Sequence, residues 1–202
     1  GLKFYRLSPE RKHLLIIGGS LGSGTLNRSV MKWISDGCPG GENLEVLWQC
    51  GKYYKKNVDE FMKKAEAEGL GGKALAGVRA MDFIGRMDLA YAVADAVVSR
   101  SGASSVSELC ACGKAAIFVP SPNVAEDHQT HNAMALVNRG AGMIVRDSEA
   151  PEKLMATACA LLDEPQKIKD MEANALKLAL PNAAQSIADE IYKILKQHSL
   201  CL

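Results

Sequence analysis

The stretch LLIIGGSLGSG, residues 14–24, is an apolar run that breaks into glycines and serines. A continuous apolar run of this length reads as a strand buried on both faces, and the glycines mark the tight turn that ends it. Three uses of such a turn stay open on these residues alone. It can present a serine nucleophile, seat a dinucleotide, or simply lead a strand into a helix.

Working outward, short apolar runs alternate with helical segments. Strands are predicted at 13–19, 44–50, about 73–80, 96–99, 115–120 and 142–145, and helices at 25–34, 57–68, 87–94, 104–112 and 129–139. Strand and helix in regular succession imply right-handed crossovers and a parallel sheet covered on both faces. Beyond residue 146 the pattern is helical only, at 151–163, 165–178 and 183–196, with Pro151 and Pro165 in opening turns and Asn182 as an N-cap. In the last helix Ile187, Ile191, Ile194 and Leu195 fall at helical spacing and predict a stripe buried against something. The predicted fold is α/β: one Rossmann-like domain over 1–202, a doubly wound parallel six-stranded core at about 13–146, and a helical tail at 151–197.

Bulk composition narrows the function classes. Of 202 residues, 48% are hydrophobic, and 24 Lys and Arg against 23 Asp and Glu leave a formal charge of +1, which argues against nucleic acid as a partner. Cys38, Cys50, Cys110, Cys112, Cys159 and Cys201 show neither zinc-site nor disulfide-scaffold spacing and predict reduced thiols in a cytoplasmic protein. No stretch approaches the ~18 apolar residues of a membrane span, and no signal peptide opens the chain. The start at Gly1, with a strand within fifteen residues, reads as a cut through a longer protein.

The nucleophile reading rests on Gly18-Gly19-Ser20-Leu21-Gly22, which matches G-x-S-x-G, with Asp127, His128 and His131 as later partners. That motif belongs deep in a hydrolase sheet, whereas here it follows the first strand. A dinucleotide fingerprint needs a third glycine and an acid closing the second strand. The nearest match ends in Asn27, and the second strand closes on Trp48, Gln49 and Cys50.

A second glycine-serine turn weakens the purely structural reading. SRSGASSVSELCACG, residues 99–113, repeats the geometry after the fourth strand. In a doubly wound sheet the first and fourth strands are neighbours, and a crevice opens between their C-terminal ends. A helix starting near Ser104 offers free N–H groups and hydroxyls suited to a diphosphate. Glu108, one turn on, suits the paired hydroxyls of a ribose. Equally, Ser105-Val106-Ser107-Glu108 fits a capping box, and spacing alone does not choose between the two. His128 and His131 form H-x-x-H beside acidic residues but lack H-E-x-x-H spacing, so no metal is predicted.

In order and spacing, GGSLGS, DFIGRM, SRSGASSVSELCACGKAAIFVPSPNVAEDHQTHNA and GAGMIV resemble the C-terminal half of the MurG family. These are the UDP-N-acetylglucosamine transferases that complete lipid II for bacterial cell walls, and the similarity runs from about Phe4 to the last helix. The resemblance implies the C-terminal half of a glycosyltransferase B fold with no cofactor and no obligatory metal. It implies that Gly19, Ser20 and Gly22 face the diphosphate and sugar, with Gly102, Ala103, Ser104 and Ser105 holding phosphate. The backbone of Ile84, beside Phe83, would read the uracil edge, while Glu108 would bind the ribose. Gln129 would read the sugar hydroxyls, with Asn132 supporting its loop. The implied partners are UDP-N-acetylglucosamine and, through an N-terminal domain absent here, lipid I. The same domain would carry the catalytic base and the contact with the cytoplasmic face of the membrane, so the fragment alone would bind donor without turning it over. Another UDP-sugar glycosyltransferase or a UDP-sugar epimerase domain is the alternative.

Overall fold

In a computed structural model of the chain, residues 1–199 are described. The order along the chain is α1 (Leu2–Tyr5), β1 (Lys12–Ile17), α2 (Gly24–Ser35), β2 (Leu44–Gln49), α3 (Lys55–Glu68), α4 (Gly72–Leu75) and β3 (Val78–Met81). There follow α5 (Met87–Val93), β4 (Ala96–Ser99), α6 (Ala103–Ala111), β5 (Ala116–Phe118), a 3-10 turn (Ala125–Asp127), α7 (His128–Val137) and β6 (Met143–Ile144). Three helices close it: α8 (Ala150–Leu162), α9 (Pro165–Lys177) and α10 (Ala183–Ser199).

The six strands form one sheet, in the order β3-β2-β1-β4-β5-β6, and every described pairing is parallel. β1 is central, with Leu14 opposite Val46 on one side and Ala96 on the other. Its side chains alternate across the sheet, as strand geometry requires. Leu14 and Ile16 join Leu26, Val30, Val58 and Leu154 in one core layer, under α2, α3 and α8. Leu15 and Ile17 join Ala90, Leu109 and Ala133 in the other, under α5, α6 and α7. The helices after β1 and β4 therefore lie on opposite faces. This is the arrangement that opens a crevice at the strand-order reversal.

Two sequence expectations are corrected, and one element is added. The strand expected at about 73–80 is a helical turn, α4, followed by the four-residue β3. Gly71 (φ 70°) and Gly72 (φ 52°) turn the chain first, and it joins the sheet only after Gly77, where a Cβ would meet the Leu44 carbonyl oxygen at 2.7 Å. The N-terminal segment carries α1, too short to show a period. Its Tyr5 hydroxyl donates to the Arg86 carbonyl at 2.8 Å, and Tyr5 and Leu7 are buried in the second core layer. Finally, the apolar stripe of α10 is not buried: Ile187, Ile191, Ile194 and Leu195 are all exposed. Asn182 does directly precede α10, and its carbonyl accepts from the Ser186 N–H.

Cys38, Cys50, Cys110, Cys112 and Cys159 are free thiols, and Cys201 lies outside the described residues. Burial pushes Cys38 up to about 11 and also raises Cys50, Cys110 and Cys159, which keeps these thiols protonated and unreactive near neutral pH. Among the described residues no helix is long and apolar enough to cross a membrane.

Candidate functional site: the loops at the C-terminal ends of β1 and β4

Because the strands are parallel, all their following loops emerge at one edge of the sheet. The first loop, residues 18–23, is held by backbone. The Gly18 N–H donates to the Gln49 carbonyl at 3.2 Å, the Gly22 N–H to Gly19 at 3.1 Å, and the Lys52 N–H to Ser20 at 3.3 Å. Gly22 (φ 91°) lies so close to the β2–α3 loop that a Cβ on it would sit 2.1 Å from the Cys50 carbonyl oxygen. Gly19 and Ser20, by contrast, are exposed, and nothing lies within 4 Å of a Cβ built on Gly19. Ser23 then caps α2, accepting from the Leu26 N–H at 3.3 Å. Asn27 explains the failed dinucleotide fingerprint. Its amide donates to the Cys50 carbonyl and its oxygen accepts from the Trp48 indole, each at 2.9 Å, so the position ties α2 to β2 where a third glycine would leave a gap.

The second loop is held by side chains. Arg100 donates to the carbonyls of Val119 (2.9 Å) and Pro120 (3.1 Å) and pairs with Asp147. Asp147 also accepts from the Thr25 hydroxyl at 3.0 Å, so one carboxylate joins the β6–α8 loop, the end of β4 and the start of α2. The Ser101 hydroxyl donates to the Gln129 carbonyl at 2.7 Å, and the Asn132 amide donates to the Ser101 carbonyl at 3.0 Å. The Gln129 side-chain oxygen accepts from the Ser121 N–H at 2.9 Å. Gln129, Asn132 and Ser101 are thus one unit. Just before them Glu126 and Asp127 both adopt left-handed backbone (φ 52° and 49°), a conformation that costs non-glycine residues and concentrates at ligand sites.

Helix α6 starts at Ala103, with Gly102 as its N-cap and no side-chain cap. Gly102 through Ser105 therefore present its first, unpaired N–H groups at the C-terminal edge of the sheet, with Ala103 and Ser104 exposed. The capping-box alternative for Glu108 is not formed. Its exposed carboxylate instead accepts from the Tyr91 hydroxyl at 3.2 Å. Burial and the nearby Glu108 raise the Tyr91 pKa, which keeps the phenol a donor. Tyr91 lies on α5, directly after the loop that holds Phe83 and Ile84. Phe83 is half exposed, whereas the Ile84 side chain is 3% exposed. The Ile84 N–H and C=O make no hydrogen bond with the described residues, which leaves a main-chain donor and acceptor for another molecule. Arg100, Asp147, Thr25 and Tyr91 were not singled out from sequence. A lone arginine beside a serine-glycine turn was the available signal for the first; the rest are joined only by the fold.

Among the described residues no group of three or more His, Cys, Asp or Glu side chains could hold a metal ion. Asp127, the last residue of the 3-10 turn and the one before His128, accepts from the Thr130 hydroxyl at 2.7 Å.

The chain is similar to curated transferases named UDP-N-acetylglucosamine--N-acetylmuramyl-(pentapeptide) pyrophosphoryl-undecaprenol N-acetylglucosamine transferase. The relative from Flavobacterium psychrophilum is 41% identical over 198 residues, covering 96% of this chain and 50% of its own length. The one from Porphyromonas gingivalis is 44% identical over 191 residues, covering 93% and 47%. The chain spans about half the length of the curated relatives it matches. Among solved structures, Acinetobacter baumannii MurG superposes with a TM-score of 0.76 at 31% identity, covering 93% of this chain and 51% of that one. A Staphylococcus aureus MnaA–UDP co-structure shares the fold at a TM-score of 0.68 and 14% identity, covering 96% and 48%. The model described as glycosyltransferase family 28 C-terminal domain matches residues 13–191, and together with the parallel 3-2-1-4-5-6 sheet this places the chain in glycosyltransferase family 28, as a C-terminal domain.

Proposed function

We propose that the crevice binds UDP-N-acetylglucosamine and that this chain is the donor-binding half of an inverting transferase, which moves N-acetylglucosamine to lipid I and so forms lipid II for peptidoglycan. The observation that carries this reading is the start of α6 at the β1/β4 switch point, with unpaired N–H groups at Gly102 to Ser105 beside the Ser101–Gln129–Asn132 unit. Helix dipole and oriented N–H groups stabilise negative charge where it grows on the departing UDP. Gly19 and Ser20 face the diphosphate and sugar from the other side, and Gly22 fixes their loop. The free main chain of Ile84 pairs with the uracil edge, and the Glu108 carboxylate accepts the ribose hydroxyls. Gln129 reads the sugar.

On this reading the acceptor site, the base that deprotonates the acceptor hydroxyl and the contact with the cytoplasmic membrane face belong to the other half of the transferase. The 202 residues alone then bind UDP and UDP-N-acetylglucosamine and make no lipid II. Calorimetric titration of UDP into wild type and Glu108→Ala tests this directly. Saturable binding, weakened several-fold by Glu108→Ala at unchanged folded fraction, is the expected result. No UDP binding by the wild-type chain sinks the reading, and a preference for another nucleotide sugar in a panel redirects it to a different transferase or an epimerase.

A further inference from the structure

Among the described residues nine polar or charged side chains are buried: His13, Ser23, Thr25, Asn27, Ser29, Glu45, Gln49, Ser99 and Ser101. Eight have clear partners. His13 meets the Ser8 carbonyl, Glu45 takes the Ser8 N–H and pairs with Arg79, Ser29 donates to the Thr25 carbonyl, and Ser99 to the Arg100 carbonyl. The bonds of Ser23, Thr25, Asn27 and Ser101 are those of the two loops described above. Gln49 is the exception. It is 2% exposed, its side-chain oxygen is fully enclosed, and neither that oxygen nor its NH2 makes a hydrogen bond with the described residues. Buried polar groups are almost always paired, and an unpaired one is costly, so the exception calls for a cause.

Its position supplies one. Gln49 is the last residue of β2, opposite Ile17 of β1 and Met81 of β3. Its carbonyl anchors the first loop through Gly18, and the chain after Met81 runs straight into the Phe83–Ile84 loop. Strand alternation puts its side chain on the same face as Leu47, the layer that contains Ile17, Ile84 and Tyr91. The unpaired carboxamide therefore sits under the loop whose main chain is also unpaired, on the face of the sheet from which Glu108 is reached. We propose that Gln49 is a nucleoside-binding residue of the crevice, its carboxamide left without a protein partner because a bound uridine nucleotide supplies the hydrogen bond. This rests on the donor-site reading above. A carboxamide turns about its last torsion and offers either an acceptor or a donor, so the partner is a base-edge group or a ribose hydroxyl. Reaching it requires the Phe83–Ile84 loop or the Gln49 side chain to shift on binding.

The test pairs stability with binding in the 202-residue chain carrying Gln49→Met, with Gln49→Leu as a second variant. A side chain waiting for ligand costs the free protein, so its replacement by an apolar chain of similar size raises the thermal midpoint without ligand, by about 2–4 °C. The same change weakens UDP about ten-fold by calorimetry. Titration with 2′-deoxy-UDP locates the partner: the loss seen with UDP disappears if Gln49 bonds the 2′-hydroxyl and persists if it bonds the base edge or the 3′-hydroxyl. A structural glutamine gives the opposite sign, and if both variants lower the midpoint or fail to fold, the proposal is overturned. It is overturned too if Gln49→Met binds UDP as wild type does. Absence of UDP binding by wild type overturns the donor-site reading itself, which is a separate outcome.

Discussion

Gly22 and Gly102 stand in corresponding turns, after β1 and β4, yet their surroundings are opposite. A methyl group on Gly22 would meet the Cys50 carbonyl oxygen at 2.1 Å, whereas one on Gly102 meets no atom within 4 Å. Gly22 also needs left-handed backbone (φ 91°), while Gly102 adopts φ −62°, which any residue tolerates. The first loop owes its shape to two backbones packed without side chains between them, Gly22 against Gly51. The second owes its shape to Arg100, Ser101, Gln129 and Asn132. Glycine in one is a steric necessity for the fold. In the other it leaves room above the helix N-terminus.

Substitutions can break this contrast, in descending order of effect. Gly22→Ala drives a methyl into a carbonyl at an unfavourable φ and is expected to cost about 3 kcal/mol or more in chemical denaturation, or to prevent folding. A loss below about 1 kcal/mol would mean that the first loop is more adaptable than its packing implies. Next comes Arg100→Ala, which leaves Asp147 without its cation and two carbonyls without a donor. Both charged side chains are 19% exposed, so the expected cost is about 2–3 kcal/mol, below that of a fully buried pair. Asn132→Ala frees the Ser101 carbonyl and should cost about 1 kcal/mol in the same assay, together with a loss of UDP affinity because the second loop loosens. Smallest for stability is Gly102→Ala, expected within about 0.5 kcal/mol of wild type. Its UDP affinity, read by calorimetry, is expected to fall several-fold, since the new methyl occupies the space above α6 assigned to phosphate. Stability and binding both unchanged in Gly102→Ala would remove the phosphate from that place.

α10 offers a second contrast with the core. Its apolar positions follow the same helical period as those of α8, yet Leu154, Ala158 and Leu161 are buried and Ile187, Ile191 and Ile194 are exposed. Periodicity predicts that a face is apolar. It does not say what covers it, and among the described residues nothing covers this one.

The sequence by itself determined the strand–helix alternation and hence the parallel sheet, because strands covered on both faces are apolar throughout and their turns demand glycine. Ala96–Ser99 was legible to the residue for this reason, as was the start of α9 at Pro165, while α8 begins at Ala150, one residue before the expected Pro151. Where local signals conflicted, as in the glycine-rich segment 69–77, the strand was misplaced, since only contact with β2 decides where it begins. Tertiary structure alone decided that Glu108 meets Tyr91 and caps nothing, that Asp147 joins Arg100 to Thr25, and that the Gln49 side-chain oxygen lacks a partner. Those facts depend on residues up to 122 positions apart in the chain being brought within hydrogen-bond reach. Local spacing carries no information about such distances until the sheet order is fixed.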